Sequence, residues 1–203
     1  MRSSRFSDSM GKVLAISAAV VTLACSAWAA APQIIYNFAG GNDGEYIDSD
    51  LVMDGAGNIY GTSVQGGQFG SGTVFQVTPT ANGSTHTVLY SFTGGADGGE
   101  PYKGVTLDSQ GNLYGTAVTG GGGSCEGGCG VAYKLTNSGG VWTQTVIHTF
   151  TGGNDGSGAG SGLTVGRYGS IYGVTPTGGA NGPGTPGGGA IGCDIGGGGP
   201  CCG

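Results

Sequence analysis

Leu89-Tyr90-Ser91-Phe92-Thr93-Gly94-Gly95-Ala96-Asp97-Gly98 decides the fold, because the chain carries it three times. It stands earlier as Ile35-Tyr36-Asn37-Phe38-Ala39-Gly40-Gly41-Asn42-Asp43-Gly44 and later as Ile147-His148-Thr149-Phe150-Thr151-Gly152-Gly153-Asn154-Asp155-Gly156. A period of this size marks a stack or ring of similar units, so the fold must be read per repeat. The recurring residues form turns and cores; they are not a catalytic set.

Phe38 to Phe92 is 54 residues and Phe92 to Phe150 is 58. Tyr60, Tyr114 and Tyr172 give the same two spacings. Tyr60 to Gly72 is 12 residues but Tyr114 to Gly130 is 16, so the four extra residues sit in the loop that holds Cys125 and Cys129. A longer Gly-rich loop costs more entropy to order, and a Cys125–Cys129 disulfide is expected to offset part of that. The alternative is two free thiols in a flexible loop. Zinc is not expected, because no second Cys or His pair at ligand spacing accompanies them.

Within the second repeat four short strands are expected, at Thr87–Phe92, Gly104–Leu107, Asn112–Thr116 and Gly130–Leu135. Each is rich in β-branched and aromatic residues and bounded by Gly, Asp, Asn or Ser. The first repeat matches with Ile34–Phe38, Asp50–Met53, Asn58–Thr62 and Gly72–Val77. No helical apolar period appears after residue 29. The fold class is therefore all-β. Four antiparallel strands per unit of this size are the mark of a β-propeller blade. Two full repeats and a partial third fall short of the roughly four to eight blades of a closed propeller, so an incomplete or open array is expected, with an oligomer that completes a ring as the alternative. Exposed strand edges would then invite self-association.

Asp54-Gly55-Ala56-Gly57-Asn58-Ile59-Tyr60 and Asp108-Ser109-Gln110-Gly111-Asn112-Leu113-Tyr114 form the sharpest local motif. An Asp opening a turn can accept a bond from backbone two residues on, and a Gly near its end can take φ > 0. Tyr60, Tyr114 and Tyr172 are expected to pack between units. In the third repeat Gly166 replaces the Asp and Ser170 the Asn.

Arg2, Arg5 and Lys12, then apolar Val13–Cys25, then Ala27-Trp28-Ala29 read as a signal peptide over residues 1–29. Its apolar run is short for a bilayer span, and no later run could cross one, so no transmembrane segment is expected. Cys25 raises a lipoprotein alternative that Thr22-Leu23-Ala24 fits poorly. Export places the protein outside the cell or at its surface, where disulfides are permitted. The whole chain carries a net charge of −6. Without residues 1–29, three basic residues remain against eleven acidic ones, which gives −8. Nucleic acid is excluded as a partner for want of a basic footprint. Residues 30–180 form the repeat domain, with repeats at about 34–87, 88–145 and 146–180. The tail, 181–203, is Gly-, Pro- and Cys-rich and reads as disordered; a truncated or frameshifted longer gene would also yield such a tail. Five cysteines follow residue 29, an odd number, so one thiol is free or pairs between chains.

The recurring series [LI]-[YH]-x-F-x-G-G-x-D-G, G-N-[LI]-Y-G-T, a Gly-Gly loop and G-x-V-F-x-[VL]-T-P lies at Tyr36–Gly44, Gly57–Thr62, Gly66-Gly67 and Gly72–Pro79. It resembles the bacterial GloVer-type tandem-repeat proteins (choice-of-anchor tandem repeat GloVer-containing proteins) over about residues 34–180. The resemblance implies a secreted, multi-repeat surface protein, with no activity attached to the repeat.

Asp43, Asp97 and Asp155 recur in register within GG-x-D-G and are the calcium candidates. They lack the nine-residue iteration that builds such sites in other repeats, and the simpler reading is an Asp that locks a Gly-rich turn. His86 is expected just before a strand and His148 within one; neither has a nucleophile in a recognisable elbow. There is no P-loop. Asp48 and Asp50 are a close carboxylate pair of the kind solvated turns often hold. No catalytic residue is assigned. Three functions stay open: an interaction or structural scaffold that meets a protein or polysaccharide at the cell surface, a fragment of a carbohydrate-binding or hydrolytic propeller, and a calcium-stabilised surface array. The aromatic rings of Tyr60, Tyr114, Trp142 and Tyr172 discriminate the first two: rings together in solvent can stack on sugars, whereas buried rings are core.

Overall fold

The computed structural model describes residues 32–178 and 191–193. The chain divides into Met1–Gln33 and Ile34–Gly203. Of the first unit only Pro32 and Gln33 are described, without regular structure; the expected signal peptide lies outside the described residues.

The second unit is all-β, with antiparallel sheets and no α-helix among the described residues. The first sheet is β1 (Val52–Met53), β2 (Ile59–Ser63), β3 (Thr73–Thr80) and β4 (Gly83–Ser91), in sequence order. The second is β5 (Val105–Leu107), β6 (Leu113–Ala117), β7 (Val131–Ser138) and β8 (Val141–Thr149), in the same order. The third joins β9 (Thr164–Val165), β10 (Ile171–Val174) and β11 (Ile191–Cys193), with β10 in the middle. The four-strand meander expected from the repeat is present twice, and no sheet closes on itself.

The sheets are out of phase with the sequence repeat. Ile34–Phe38 was expected to open the first unit as a strand, and it is not one. Its counterparts around Leu89 and Ile147 lie in β4 and β8, which pair with β3 and β7 of the preceding repeat. Each repeat thus supplies the outer strand of the sheet before it. Ile34–Phe38 has no such neighbour among the described residues, so its backbone gains no ladder. The same offset places His86 inside β4 rather than ahead of it.

The β3–β4 and β7–β8 hairpins close with two-residue loops, between the pairs Thr80↔Gly83 and Ser138↔Val141. In the second hairpin the loop is Gly139-Gly140, at φ 61° and 89°, which matches the right-handed strand twist. Both hairpins carry a bulge at the same place, between Val74/Phe75 and between Ala132/Tyr133. The extra residues, Leu89 and Ile147, pack on the two cores. A bulge re-aims the strand locally, and here it turns an aliphatic side chain inward.

Alternation along the strands gives each sheet two faces. Tyr60 and Val74 of the first sheet meet Leu113, Val131, Tyr133 and Leu135 of the second in one buried cluster. Tyr114 and Ala132, from the other face of the second sheet, meet Leu163 and Ile171 of the third in a second cluster. Polar bonds cross at matching places. The Gly104 N–H donates to Thr62 Oγ1 at 3.1 Å, and Thr116 Oγ1 donates to the Ser161 carbonyl at 2.9 Å.

β11 pairs with β10 through Ile171↔Cys193 and Val174↔Ile191. It takes the position that β3 and β7 hold in the other sheets, in a stretch where composition alone predicts no strand. The rest of the tail lies outside the described residues.

Candidate functional site

The features the sequence singled out are the three GG-x-D-G turns. In each the Asp locks its own turn. Asp43 accepts from Ala39 N–H at 2.7 Å and from the Tyr36 hydroxyl at 2.8 Å. Asp97 accepts from Thr93 N–H and the Tyr90 hydroxyl, both at 2.9 Å, and from the Thr93 hydroxyl. Asp155 accepts from Thr151 N–H at 2.8 Å and faces His148 Nε2 at 3.0 Å. The carboxylates lie in three separate turns with their oxygens already engaged. Among the described residues no group of three or more His, Cys, Asp or Glu side chains is placed to hold a metal ion.

Electrostatics follow from these bonds. Burial pushes the Asp43 carboxyl up, but the Ala39 N–H, the Tyr36 hydroxyl and the neighbouring His86 outweigh it and hold it below the usual range. For Asp97 burial is likewise outweighed by Thr93 and Tyr90, and the result is again a lowered value. The Tyr90 hydroxyl is pushed up to about 12, first by burial and then by Asp97.

His86 belongs to the first turn. Its Nδ1 lies 2.9 Å from Asp43 and its ring stacks on Tyr36 at 4.7 Å between centroids. Burial lowers its pKa and Asp43 only partly opposes that. The side chain is 5% exposed and Nε2 has no hydrogen-bond partner. A base must reach the proton it removes, and this imidazole reaches only the turn and the core beneath it.

The Asp54 and Asp108 turns match each other bond for bond. Asp108 accepts from Gln110 N–H, Asn112 N–H, Asn112 Nδ2 and the Tyr114 hydroxyl at 2.7–3.1 Å. Asp54 binds Ala56, Asn58 and Tyr60 in the same way. Gly57 and Gly111 take φ 87° and 83°, the backbone a side chain would strain. In the third repeat, which lacks the Asp, Gly166 N–H still donates to Ser170 O at 2.7 Å and Gly169 takes φ 82°. Among the described side chains none caps that turn.

The aromatic rings divide. Tyr60 and Tyr114 are buried at 6% and 9%, as expected, and Trp142 packs edge-on against Tyr60 at 6.2 Å. Tyr172 departs from the expectation: it is 46% exposed, because no further sheet covers its face among the described residues. The four rings form no common solvent-facing platform.

Cys125 and Cys129 are joined by a disulfide, with Cα atoms 5.0 Å apart. Cys129 is fully buried, and both sulfurs lie against Gly152 of the third turn. In the first repeat Ser71 stands where Cys129 does and lies against Gly94. The insertion therefore keeps the contact and replaces a hydroxyl with a covalent clasp.

Sequence reasoning passed over one group. Tyr46 and Glu100 occupy the same place in successive repeats, at φ 55° and 54°, and Gly158 holds it in the third at φ 67°. Left-handed backbone is unusual for a non-Gly residue. Tyr46 is 74% exposed, and the neighbouring loop presents Phe69 at 53%. Repeat alignment finds the position, but nothing in the residue types signals its backbone.

These observations define a tandem β-sheet repeat whose shared residues serve turns and inter-sheet packing. The sequence model of the Gloeobacter/Verrucomicrobia repeat matches residues 20–186, and the chain belongs to that family. No curated protein matches the chain.

Proposed function

We propose that the protein is an exported scaffold that works by binding, presenting loop residues to a protein or polysaccharide at the cell surface and carrying out no chemistry of its own. One observation carries the reading: the frame is constant and its loops vary. The Asp locks and buried Tyr residues recur, while one left-handed loop position bears Tyr46, Glu100 or Gly158. A strained position occupied by an exposed aromatic ring is a reasonable place for contact with a partner. Export is supported by the basic and apolar N-terminal pattern and by the Cys125–Cys129 bridge, which an oxidising compartment favours.

The test has two parts. Cell fractionation and intact mass spectrometry should find the chain outside the cytoplasm and cleaved near Ala29. Binding to isolated cell-surface material should fall at least tenfold in a Tyr46→Ala/Phe69→Ala variant whose thermal midpoint is unchanged. Protease treatment of that material then separates a protein partner from a polysaccharide. An uncleaved cytoplasmic chain would sink the export reading, and unchanged binding would sink the assignment of these loops.

The calcium-stabilised array is the weaker reading, since Asp43, Asp97 and Asp155 already accept bonds within their own turns. A rise in thermal midpoint with added Ca²⁺, reversed by chelator, would revive it.

A further inference from the structure

The described structure makes one kind of sheet-to-sheet contact twice and leaves residues of each of its two halves exposed at opposite ends. One half is the face that carries Tyr60 in the first sheet and Tyr114 in the second. The other half is the face that carries Val105 in the second sheet and Leu163 in the third. Where the halves meet, Tyr60 and Tyr114 are 6% and 9% exposed and Val105 and Leu163 are both 7% exposed. At the ends the same repeat positions are open. Tyr172, equivalent to Tyr60 and Tyr114, is 46% exposed, and Leu51, equivalent to Val105 and Leu163, is 59% exposed. Met53, two residues on and on the same face as Leu51, is also uncovered at 61%.

Strand alternation confirms which way these residues point. Ile171 packs toward the second sheet, so Tyr172 beside it and Val174 beyond face away from it. Val52 packs into the first inter-sheet core, so Leu51 and Met53 face the opposite side. Leu51 also lies against Gly61, beside Phe75, as the second sheet's Tyr133 lies against Gly115. The first sheet therefore exposes Leu51 and Met53 at the border of a face whose remainder is already covered: Phe75 and Val77 are 2% and 4% exposed, and Phe38 packs on Phe75 at 4.9 Å.

We propose that copies of this chain stack head to tail, the Tyr172 face of one third sheet docking on the Leu51–Met53 face of the next copy's first sheet. The occupant is a second copy because the residues exposed at the two ends are the repeat equivalents of residues buried on the two sides of a contact this sequence already forms twice. Such an interface is heterologous: it closes into a ring if the rotation permits and otherwise grows as an open array. Two copies would bring six sheets together, within the range of roughly four to eight over which such rings close. This pairing is between faces, not strand edges, and does not depend on the binding role proposed above. The match departs in two respects. Val174 stands in place of Thr62 and Thr116, and Asp50 in place of Gly104, so the cross-sheet hydroxyl bond is lost. Ser84 stands in place of Trp142, so the ring that packs on Tyr60 has no counterpart on the first sheet. The contact between copies is therefore weaker than the one between the first two sheets.

The experiment is light scattering on the full chain over a concentration series, with Leu51→Asp, Tyr172→Asp and their equimolar mixture. The wild type is expected to exceed monomer mass as concentration rises, and each variant to remain monomeric with an unchanged far-ultraviolet circular dichroism spectrum. The mixture should recover a dimer, because each variant keeps the half the other has lost. Both residues are exposed, so neither change opens a cavity; Met53→Lys replaces Leu51→Asp if that variant fails to fold. A wild type that is monomeric at every concentration up to about 100 µM would overturn the proposal, and would mean that another part of the chain or another partner covers these faces. Oligomers of either single variant would overturn it in favour of a like-with-like interface. A mixture that stays monomeric would overturn it too.

Discussion

At the residue scale, the repeat can be read as a set of substitutions already made within one chain. Tyr133 occupies the place that Phe75 holds in the first sheet, and it is fully buried with its hydroxyl unpartnered. An orphaned buried hydroxyl costs free energy, and removing it without changing the ring's shape does not. Tyr133→Phe should therefore leave stability unchanged or raise it by about 1 kcal/mol, read as a shift in denaturation midpoint. The opposite holds for Asp108, which satisfies four donors at once. Asp108→Ala strands the Tyr114 hydroxyl next to a packed core and should cost about 2 kcal/mol, measured the same way. The turn role of Asp54 and Asp108 was legible in the sequence, because Asx turns and positive-φ glycines have local causes. The left-handed backbone at Tyr46 and Glu100 was not, because only the surrounding loops impose it.

At the element scale, most strands followed from residue type, but the fate of Ile34–Phe38 and the sheet membership of its counterparts did not. Leu89–Phe92 looks like the first strand of its repeat, yet it completes the sheet of the repeat before it. Hydrogen bonds to β3 decide that, and local propensity has no access to them. The inserted loop is a second case. Position and count pointed to a Cys125–Cys129 bridge, but only packing shows both sulfurs against Gly152 at the entrance to the third sheet. Closing so short a loop should contribute about 2 kcal/mol. A Cys125→Ser/Cys129→Ser double variant should lose about that much in chemical denaturation, and reducing agent should lower the wild type to the same midpoint. Amide exchange should quicken in the loop and at Gly152–Gly156 ahead of the first sheet.

At the scale of the whole molecule, titration reports how much of the fold depends on buried partners. A His whose pKa is lower folded than unfolded binds fewer protons when folded, so its contribution is complete above about pH 6.5 and declines as pH falls. His86 is such a group. Asp43, Asp54, Asp97 and Asp108 are also lowered, so their contribution is present above about pH 4 and is lost below it. Tyr60 and Tyr90 are raised to about 12, so theirs is complete below about pH 10 and is lost as pH climbs toward that value. The thermal midpoint should be flat between about pH 7 and 9, fall in two acid steps and fall again in alkali. His86→Gln should remove the first acid step and leave the second. The sequence by itself determined the repeat, most of its strand-forming segments, its turn chemistry and the family to which the chain belongs. All of these depend on residue type and spacing within one unit. Only the tertiary structure decided which strands share a sheet, which tyrosines are core and which is uncovered, and that positions buried between sheets are exposed at the two ends. Those outcomes depend on what lies across the gap between units, and identical repeat positions meet different neighbours according to their place in the array.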